Sequence, residues 1–316
     1  MQHRANTGLI TAPVFLNHDT GTGHPERPSR VSTSLARIKE SGLADDLILI
    51  EPGPAPLEAL TRIHPRVHLD RLASAIASGA RSISEPDLGV SLRSWDAALS
   101  SANAGLLAAD KIMAGELRNA MCLVRPPGHH AEAERAMGYC LINNAAVTAR
   151  HLQVVHGLER VAILDFDVHH GNGTQHLFEE DPSVFFASLH QWPLYPGTGA
   201  ADERGIGAGE GTTLNVPLPA GSDDARYLRE LEQLVLPAIE AHRPQALILS
   251  AGFDAHERDP LGSMKVTTQG FARITELALD LASKCCESRV ISLLEGGYDL
   301  EGLADSVVAH TSELKG

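Results

Sequence analysis

No segment of this sequence offers the roughly 18 uninterrupted apolar residues that a membrane-spanning helix needs, and no segment is a basic run. The 26 Lys and Arg residues are outnumbered by 40 Asp and Glu residues, which gives a net charge of −14. Because proteins that bind nucleic acids normally carry a basic patch, we expect neither a nucleic-acid partner nor a membrane partner. An acidic surface favours cationic substrates, weakly and in a salt-dependent way.

Cysteine is scarce, and the four cysteines show none of the spacings of a disulfide framework. Cys285 and Cys286 are adjacent, a placement that rarely lets two cysteines pair, and Cys122 and Cys140 stand alone. The sequence therefore indicates reduced thiols in a reducing compartment. Residues 1–15 also lack the apolar core of a secretory signal, so we expect a cytoplasmic protein.

The chain contains no internal repeat, low-complexity tract or linker that would divide it. Its 316 residues are 43% hydrophobic and 21% charged, a composition typical of globular proteins. A chain of this length can form one large domain. We therefore expect a single domain over residues 1–316.

Short apolar segments alternate with helical segments along the chain. The expected strands are residues 47–50, 121–125, 161–166, 184–189, 246–251 and 290–294. The expected helices are residues 95–114, 144–156, 223–242 and 268–286, and residues 191–222, rich in Gly and Pro, are expected to form a long ordered loop. This alternation predicts an α/β fold with a parallel sheet covered on both faces. In such folds ligands bind beyond the carboxyl ends of the strands.

Asp165, Asp167 and His169 lie at alternating positions at the end of the apolar segment 161–166, on one side of an extended backbone. Two carboxylates and an imidazole are costly to bury unless a positive group lies between them. Carboxylate and neutral imidazole are a normal ligand set for zinc or a related divalent ion. The plainer interpretation is a hydrogen-bonded strand end that caps a helix.

A pair of histidines, His129 and His130, follows another apolar segment and the turn Pro126-Pro127-Gly128. Such a turn can aim two neighbouring rings into one cavity. The alternative is a surface loop in which the two histidines have no shared role.

Two single residues also follow apolar strand segments. Asp254 comes after a glycine turn and would be a third metal ligand, which leaves one position open for water; otherwise it is an ordinary turn residue. Tyr298 follows Gly296 and Gly297, and its phenol could donate a hydrogen bond to a developing oxyanion. Its alternative is a core tyrosine at a turn.

Together these stretches resemble the histone deacetylase and deacetylase-like amidohydrolase family, in particular its class II-like bacterial branch, which includes the acetylpolyamine amidohydrolases. The similarity runs in collinear order from His24 to about Val308. The matching stretches are residues 24–30, 125–130, 138–144, 165–175, 188–190, 195–199, 215–218, 250–262 and 295–300. The resemblance implies an arginase-like α/β fold with a parallel sheet of about eight strands.

The resemblance also implies zinc-dependent deacetylation. The family's zinc ligands match Asp167, His169 and Asp254, with one zinc per subunit that lowers the pKa of its bound water and polarises the amide carbonyl. His129 and His130 match the paired histidines. One of them serves as general base and then protonates the leaving amine, and the other assists electrostatically; the match does not say which.

Three more positions match the catalytic machinery. Asp165 matches the carboxylate that orients His129, and Asn172 matches the partner of His130, an amide where class I enzymes carry a carboxylate. Tyr298 matches the tyrosine that stabilises the oxyanion.

The substrate tunnel is implied in the same way. Tyr139 and Tyr195 match two aromatic walls around a lysine-like alkyl chain, where phenylalanine is commoner, and the carbonyl of Gly138 would accept the substrate amide N–H. The remaining matched positions are Arg27 in an internal channel for the released acid, Asp87 at the rim and Leu261 in the loop after Asp254.

The family also binds structural potassium or sodium ions. The residues that match the first such site are Asp165, Asp167, His169, Ser188 and Leu189, through backbone oxygens and the Ser188 hydroxyl. Those that match the second are Phe178, Asp181, Val184 and Thr212. Both sets could also be plain turn residues.

Two substrates compete for this site: acyl-lysine in a peptide or protein, and an acetylated polyamine. One polyamine-specific branch places a glutamate after the Asp-Pro pair of the Asp254 loop, where this chain has Leu261, so we rank acyl-lysine first. A non-catalytic acyl-lysine-binding module would lack a ligand, a histidine or the tyrosine, and none is missing. A manganese ureohydrolase would need more carboxylate ligands and two metals. Homo-oligomer formation is left open.

Overall fold

The computed structural model describes residues 6–316 and is built around two sheets. The strands of the main sheet are β1 (Thr7–Ile10), β2 (Ile48–Ile50), β5 (Asn119–Cys122), β6 (Val161–Asp165), β7 (Val184–Gln191), β8 (Thr213–Leu218), β9 (Leu247–Ala251) and β10 (Val290–Leu294). The two strands β3 (Ser82–Ile83) and β4 (Glu85–Gly89) form a small antiparallel hairpin.

The helices lie between these strands. They are α1 (Ser29–Glu40), α2 (Leu57–Leu60), α3 (Arg66–Ala77), α4 (Ser94–Met113), α5 (Asn144–His156), α6 (Asn172–Phe178), α7 (Asp224–Glu230), α8 (Leu236–His242), α9 (Thr268–Cys285) and α10 (Leu300–Lys315). A π-helical segment, Leu231–Val235, joins α7 to α8. None of the helices among residues 6–316 is long and apolar enough to cross a bilayer.

The main sheet has the order β2-β1-β5-β10-β9-β6-β7-β8, and all of its strand pairs are parallel. Its central strands are buried on both faces, which is why they consist of continuous apolar residues. The four central strands β5, β10, β9 and β6 are those that precede the chemistry-bearing stretches. Their carboxyl ends therefore bring residues from four distant parts of the sequence to one edge.

Helices cover both faces of the sheet. On one face α4 and α5 pack through small side chains such as Ala104 and Ala145 against β5 and β6. On the other face α1, α9 and α10 contribute larger side chains, among them Phe271. This three-layer arrangement buries most of the apolar residues in two clusters that hold the carboxyl edge of the sheet rigid.

The predicted α/β class and the sheet of about eight parallel strands are confirmed. The predicted helix 144–156 has the observed bounds of α5, and the predicted strand 290–294 has those of β10. The expected loop 191–222 is wrong in part, because it contains β8. Pro217 argues against a strand, but β8 lies at the edge of the sheet, where a missing N–H costs no ladder bond. The expectation that residues 1–15 contain no secretory signal concerns a segment that lies partly outside the described residues.

Candidate metal centre and active site

Three buried side chains that could bind a metal ion converge at the carboxyl edge of the main sheet. Asp167 and His169 follow β6, and Asp254 follows the neighbouring strand β9. The Nδ1 atom of His169 lies 3.0 Å from Oδ1 of Asp167 and 3.1 Å from Oδ2 of Asp254. Zinc bound to such groups at about 2.0–2.1 Å in tetrahedral geometry would hold them about 3.3 Å apart, so the observed spacing fits a zinc ion after a small expansion.

The backbone packs closely against the carboxylates of these side chains. A Cβ atom at Gly296 would lie 2.0 Å from Oδ2 of Asp254, and one at Gly252 would lie 2.1 Å from Oδ2 of Asp167. Burial and the charge of Asp167 raise the pKa of Asp254 to about 7. Two carboxylates this close together repel each other unless a cation lies between them, so the site has the electrostatics of a metal centre.

The paired histidines lie next to this centre, with ring centroids 4.0 Å apart. Nδ1 of His129 lies 2.9 Å from Oδ2 of Asp165, and Nδ1 of His130 lies 2.8 Å from Oδ1 of Asn172. Since a carboxylate and an amide oxygen only accept hydrogen bonds, each Nδ1 donates, and each Nε2 is left to act on a substrate. Nε2 of His129 is 3.9 Å from Oδ1 of Asp167.

The pKa values of the two rings are shifted in opposite directions. Burial by itself would lower the pKa of His129, but the carboxylates of Asp165 and Asp167 outweigh it and raise that pKa well above the ordinary value. Burial lowers the pKa of His130 well below the ordinary value, and the rings of His129 and His169 act in the same direction. His130 also lines the cavity described below. Protonation is therefore favoured at His129 and disfavoured at His130.

Glu295 is a residue of this site to which the sequence analysis assigned no role. It is fully buried, and its Oε2 accepts hydrogen bonds from the backbone N–H groups of Gly128 (2.7 Å) and His129 (3.1 Å). Burial raises the pKa of this carboxyl group to about 7. Its position directly after β10 and before two glycines was the available signal. Glu295 fixes the backbone that carries the histidine pair.

Tyr298 lines the cavity described below and is almost fully buried. Its backbone N–H donates to Oδ2 of Asp259 at 2.6 Å, and its ring lies 5.0 Å from the guanidinium carbon of Arg30. Burial raises the pKa of the Tyr298 phenol well above its ordinary value. The hydroxyl therefore stays protonated and can donate a hydrogen bond.

The placement of Arg27 in an internal channel is wrong, because Arg27 is exposed. Of these two neighbouring arginines Arg30 is the buried one, and it donates to the carbonyl oxygens of Gly297 (2.6 Å) and Glu295 (2.5 Å). Arg30 shares one face of α1 with Ser34 and Ile38, four and eight residues later, and that spacing was the signal for an inward-facing side chain. Glu26 accepts from both Arg30 and the buried Arg125.

A cavity of about 260 Å³ leads from the surface to this centre. Most of the predicted tunnel residues line it, together with one of the metal-ligating groups. The lining residues are Asp87, His130, Gly138, Tyr139, His169, Leu194, Tyr195, Leu261 and Tyr298.

One wall of the cavity is a tight turn. Met137 and Cys140 are joined by two backbone hydrogen bonds, and the two residues between them, Gly138 and Tyr139, have φ values of 55° and 67°. Positive φ at both central positions is characteristic of a type I′ turn. A Cβ atom at Gly138 would lie 2.3 Å from Cδ2 of His130, so glycine is required for the turn to approach the histidine.

A second part of the cavity wall is the ring of Tyr195, which lies edge-on to His130 at 5.2 Å. Its hydroxyl donates to Oε2 of Glu85 at 3.3 Å, and the same oxygen accepts from the backbone N–H of Gly138. Glu85, which the sequence analysis did not single out, thus connects the two walls. Its other oxygen pairs with Arg135 at 2.9 Å.

The residues of the two proposed monovalent-cation sites are also brought together. Asp165 is directly opposite Ser188 in the pairing of β6 with β7, and both are buried. The second set surrounds the turn between α6 and β7, where Arg150 pairs with the side chain of Asp181. Occupancy by a cation remains a prediction for both sets.

Comparisons with known proteins agree on one family. The profile of the histone deacetylase domain matches residues 24–314. A probable deacetylase from Archaeoglobus fulgidus is 38% identical over 94% of this chain and 82% of its own length, and a histone deacetylase-like amidohydrolase from Pseudomonas aeruginosa is 37% identical over 99% and 83%. The crystal structure of the HDA15 HD domain superposes with a TM-score of 0.93 at 37% identity, covering 99% of this chain and 88% of that one.

Proposed function

This chain belongs to the histone deacetylase family, and we propose that it is a zinc-dependent hydrolase that removes an acetyl or other short acyl group from lysine side chains of peptides or proteins. The observation that carries the proposal is the convergence of Asp167, His169 and Asp254 beside a histidine pair, with His169 and His130 both lining the cavity. A zinc ion held by these three groups would supply a Lewis acid for the amide carbonyl and lower the pKa of a bound water.

His130 is the proton-transfer residue in this proposal. It lines the cavity, its ring is neutral, and its Nδ1–H is held by Asn172, so the Nε2 lone pair faces the reacting groups. Nε2 would take a proton from the attacking water and later deliver it to the leaving amine. His129, held cationic by Asp165, would stabilise the negative charge that develops between these two steps.

Tyr298 and Gly138 are proposed to bind the reacting amide. The protonated phenol of Tyr298 would donate to the oxygen that gains negative charge. The carbonyl of Gly138 would accept a hydrogen bond from the substrate amide N–H. Glu85 holds this residue in place because it accepts the backbone N–H of Gly138. Tyr139 and Tyr195 would enclose the alkyl chain that carries this amide.

The rim supports acyl-lysine as the first substrate and an acetylated polyamine as the second. Leu261 presents an apolar side chain to the cavity, where a carboxylate would attract a distant ammonium group. Of the two carboxylates nearby, Glu85 is already paired with Arg135. Asp87 lines the cavity and is the observation that favours a cationic substrate.

The test compares kcat/KM on a fluorogenic acetyl-lysine peptide and on N-acetylputrescine with the zinc-loaded protein. We expect turnover of the peptide, inhibition by a hydroxamate and a clear preference for the peptide. His130→Gln should abolish turnover, and His176→Gln, a surface histidine of α6, is the matched control and should not. A large preference for the diamine would reverse the order of the two substrates, and no turnover of either would refute the proposal.

A further inference from the structure

A second group of metal-ligating side chains lies between α4 and α5. Asp110 is in the last turn of α4, and His151 and His156 are on α5. The Nε2 atoms of both histidines lie 2.7 Å from the same oxygen, Oδ1 of Asp110. One carboxylate oxygen and two imidazole nitrogens are thus aimed at one point, and all three lie within 4.8 Å of one another.

The topology places this group away from the catalytic centre. α4 leads into β5 and α5 leads into β6, so both helices end at the amino edge of the sheet. The proposed catalytic residues lie at the opposite, carboxyl edge. A function assigned to this group is therefore independent of the proposed deacylation.

The electrostatics of the position favour a cation. The carboxyl-terminal ends of two parallel helices meet there, and each carries a partial negative charge. The two cationic residues adjacent to the group in sequence are engaged elsewhere, because Lys111 pairs with Glu116 at 2.7 Å and Arg150 pairs with Asp181 at 2.5 Å. The two helix dipoles and the carboxylate of Asp110 therefore all attract a cation.

The helices hold the three side chains firmly, yet solvent can reach them. A Cβ atom at Gly105 would lie 1.9 Å from Oγ1 of Thr148, so α4 and α5 are in close contact one to two turns before the group. His151 is buried, whereas the Asp110 side chain is 49% exposed and opens a path for an ion. Nδ1 of His151 has no hydrogen-bond partner within residues 6–316, so a proton can move there without breaking an existing bond.

We propose that Asp110, His151 and His156 form a second metal site, which binds zinc or a similar divalent ion and ties α4 to α5. Two imidazoles and one carboxylate suit zinc, cobalt and nickel better than calcium or magnesium. Binding would replace the two Nε2–H···Oδ1 hydrogen bonds by bonds to the ion, and the Nε2 protons would leave or move to Nδ1. Water would complete the coordination.

The test counts zinc in protein whose catalytic centre is already loaded. Isothermal titration of this protein with Zn²⁺, checked by elemental analysis after desalting, should show one additional zinc per chain for the wild type and none for His156→Gln or Asp110→Asn. Asp254→Asn should lose the catalytic zinc and retain the second one. The wild-type melting temperature should rise with the additional zinc, and that of His156→Gln should not, while both turn over the acetyl-lysine peptide equally.

His176→Gln is the matched control, because His176 is also a helical histidine paired with a carboxylate, Glu179, at 3.3 Å. It should keep the additional zinc. Equal zinc uptake by the wild type, His156→Gln and Asp110→Asn would overturn the proposal and leave Asp110 as a shared hydrogen-bond acceptor only. Loss of the additional zinc in His176→Gln would overturn it as well, because uptake would then be due to unspecific surface histidines.

Discussion

Replacement of Tyr298 by phenylalanine isolates a single hydrogen bond in the proposed mechanism. Phenylalanine keeps the aromatic ring, so the contact with Arg30 at 5.0 Å and the backbone bond to Asp259 remain. The zinc ligands are other residues, and the fold and the metal content should not change. What is lost is the phenol O–H, which is protonated because burial raises its pKa.

The expected size of the effect follows from the isolation of this donor. The tyrosine is 8% exposed, so water cannot readily replace its hydroxyl. Removing one donor to an oxyanion in such a site costs about 2.7–4 kcal/mol, or about 10²–10³ in kcat. Because the bond forms only in the transition state, kcat and kcat/KM should fall together.

The assay is steady-state turnover of the acetyl-lysine peptide, with zinc content and thermal unfolding measured on the same samples. Tyr139→Phe is the matched control, since Tyr139 lines the same cavity but only encloses the alkyl chain; we expect a change of a few-fold at most. A Tyr298→Phe variant with unchanged kcat would remove Tyr298 from the mechanism. An equal loss in both variants would show that the effect comes from the cavity wall.

Two further predictions concern the cavity wall and acid stability. Gly138→Ala should lose most turnover but keep its zinc, because the added Cβ would lie 2.3 Å from His130; full activity in this variant would contradict the close approach of the turn. Burial lowers the pKa of His310 to about 3, so between about pH 6.5 and 3 the unfolded chain binds a proton at this residue that the folded chain does not. Lowering the pH through this range therefore lowers the unfolding free energy by about 1.4 kcal/mol per pH unit. Urea midpoints of the wild type and His310→Gln at pH 7 and 5 should show a weaker pH dependence in the variant, and equal dependence would show that His310 is not the group responsible.

The sequence allowed prediction of those parts of the site in which a single stretch carries both the strand and the chemistry. Asp165, Asp167 and His169 are an example, since their alternating spacing places them together without knowledge of the fold. The convergence of Asp254 with them depends on β9 lying beside β6. The parallel α/β pattern alone did not determine that order, and the family resemblance supplied it.

The residues that were missed or misplaced depend on details that spacing does not fix. In the sequence, Arg27 and Arg30 are both candidates for an arginine that points into the protein. The packing of α1 decides that Arg30 is the buried one. Glu85 reaches the tunnel from β4, a strand of the small hairpin that contains Pro86 and was not predicted. Glu295 binds backbone groups of a loop more than 160 residues away, a contact that leaves no local pattern.

The proposed mechanism requires that Asp167, His169 and Asp254 share one zinc ion. Crystallographic anomalous scattering measured above and below the zinc edge, on protein purified without added chelator, tests it most directly. We expect one anomalous peak in contact with all three side chains, whether or not a separate peak lies at Asp110. No peak between the three residues, or two adjacent metal ions in that place, would contradict it.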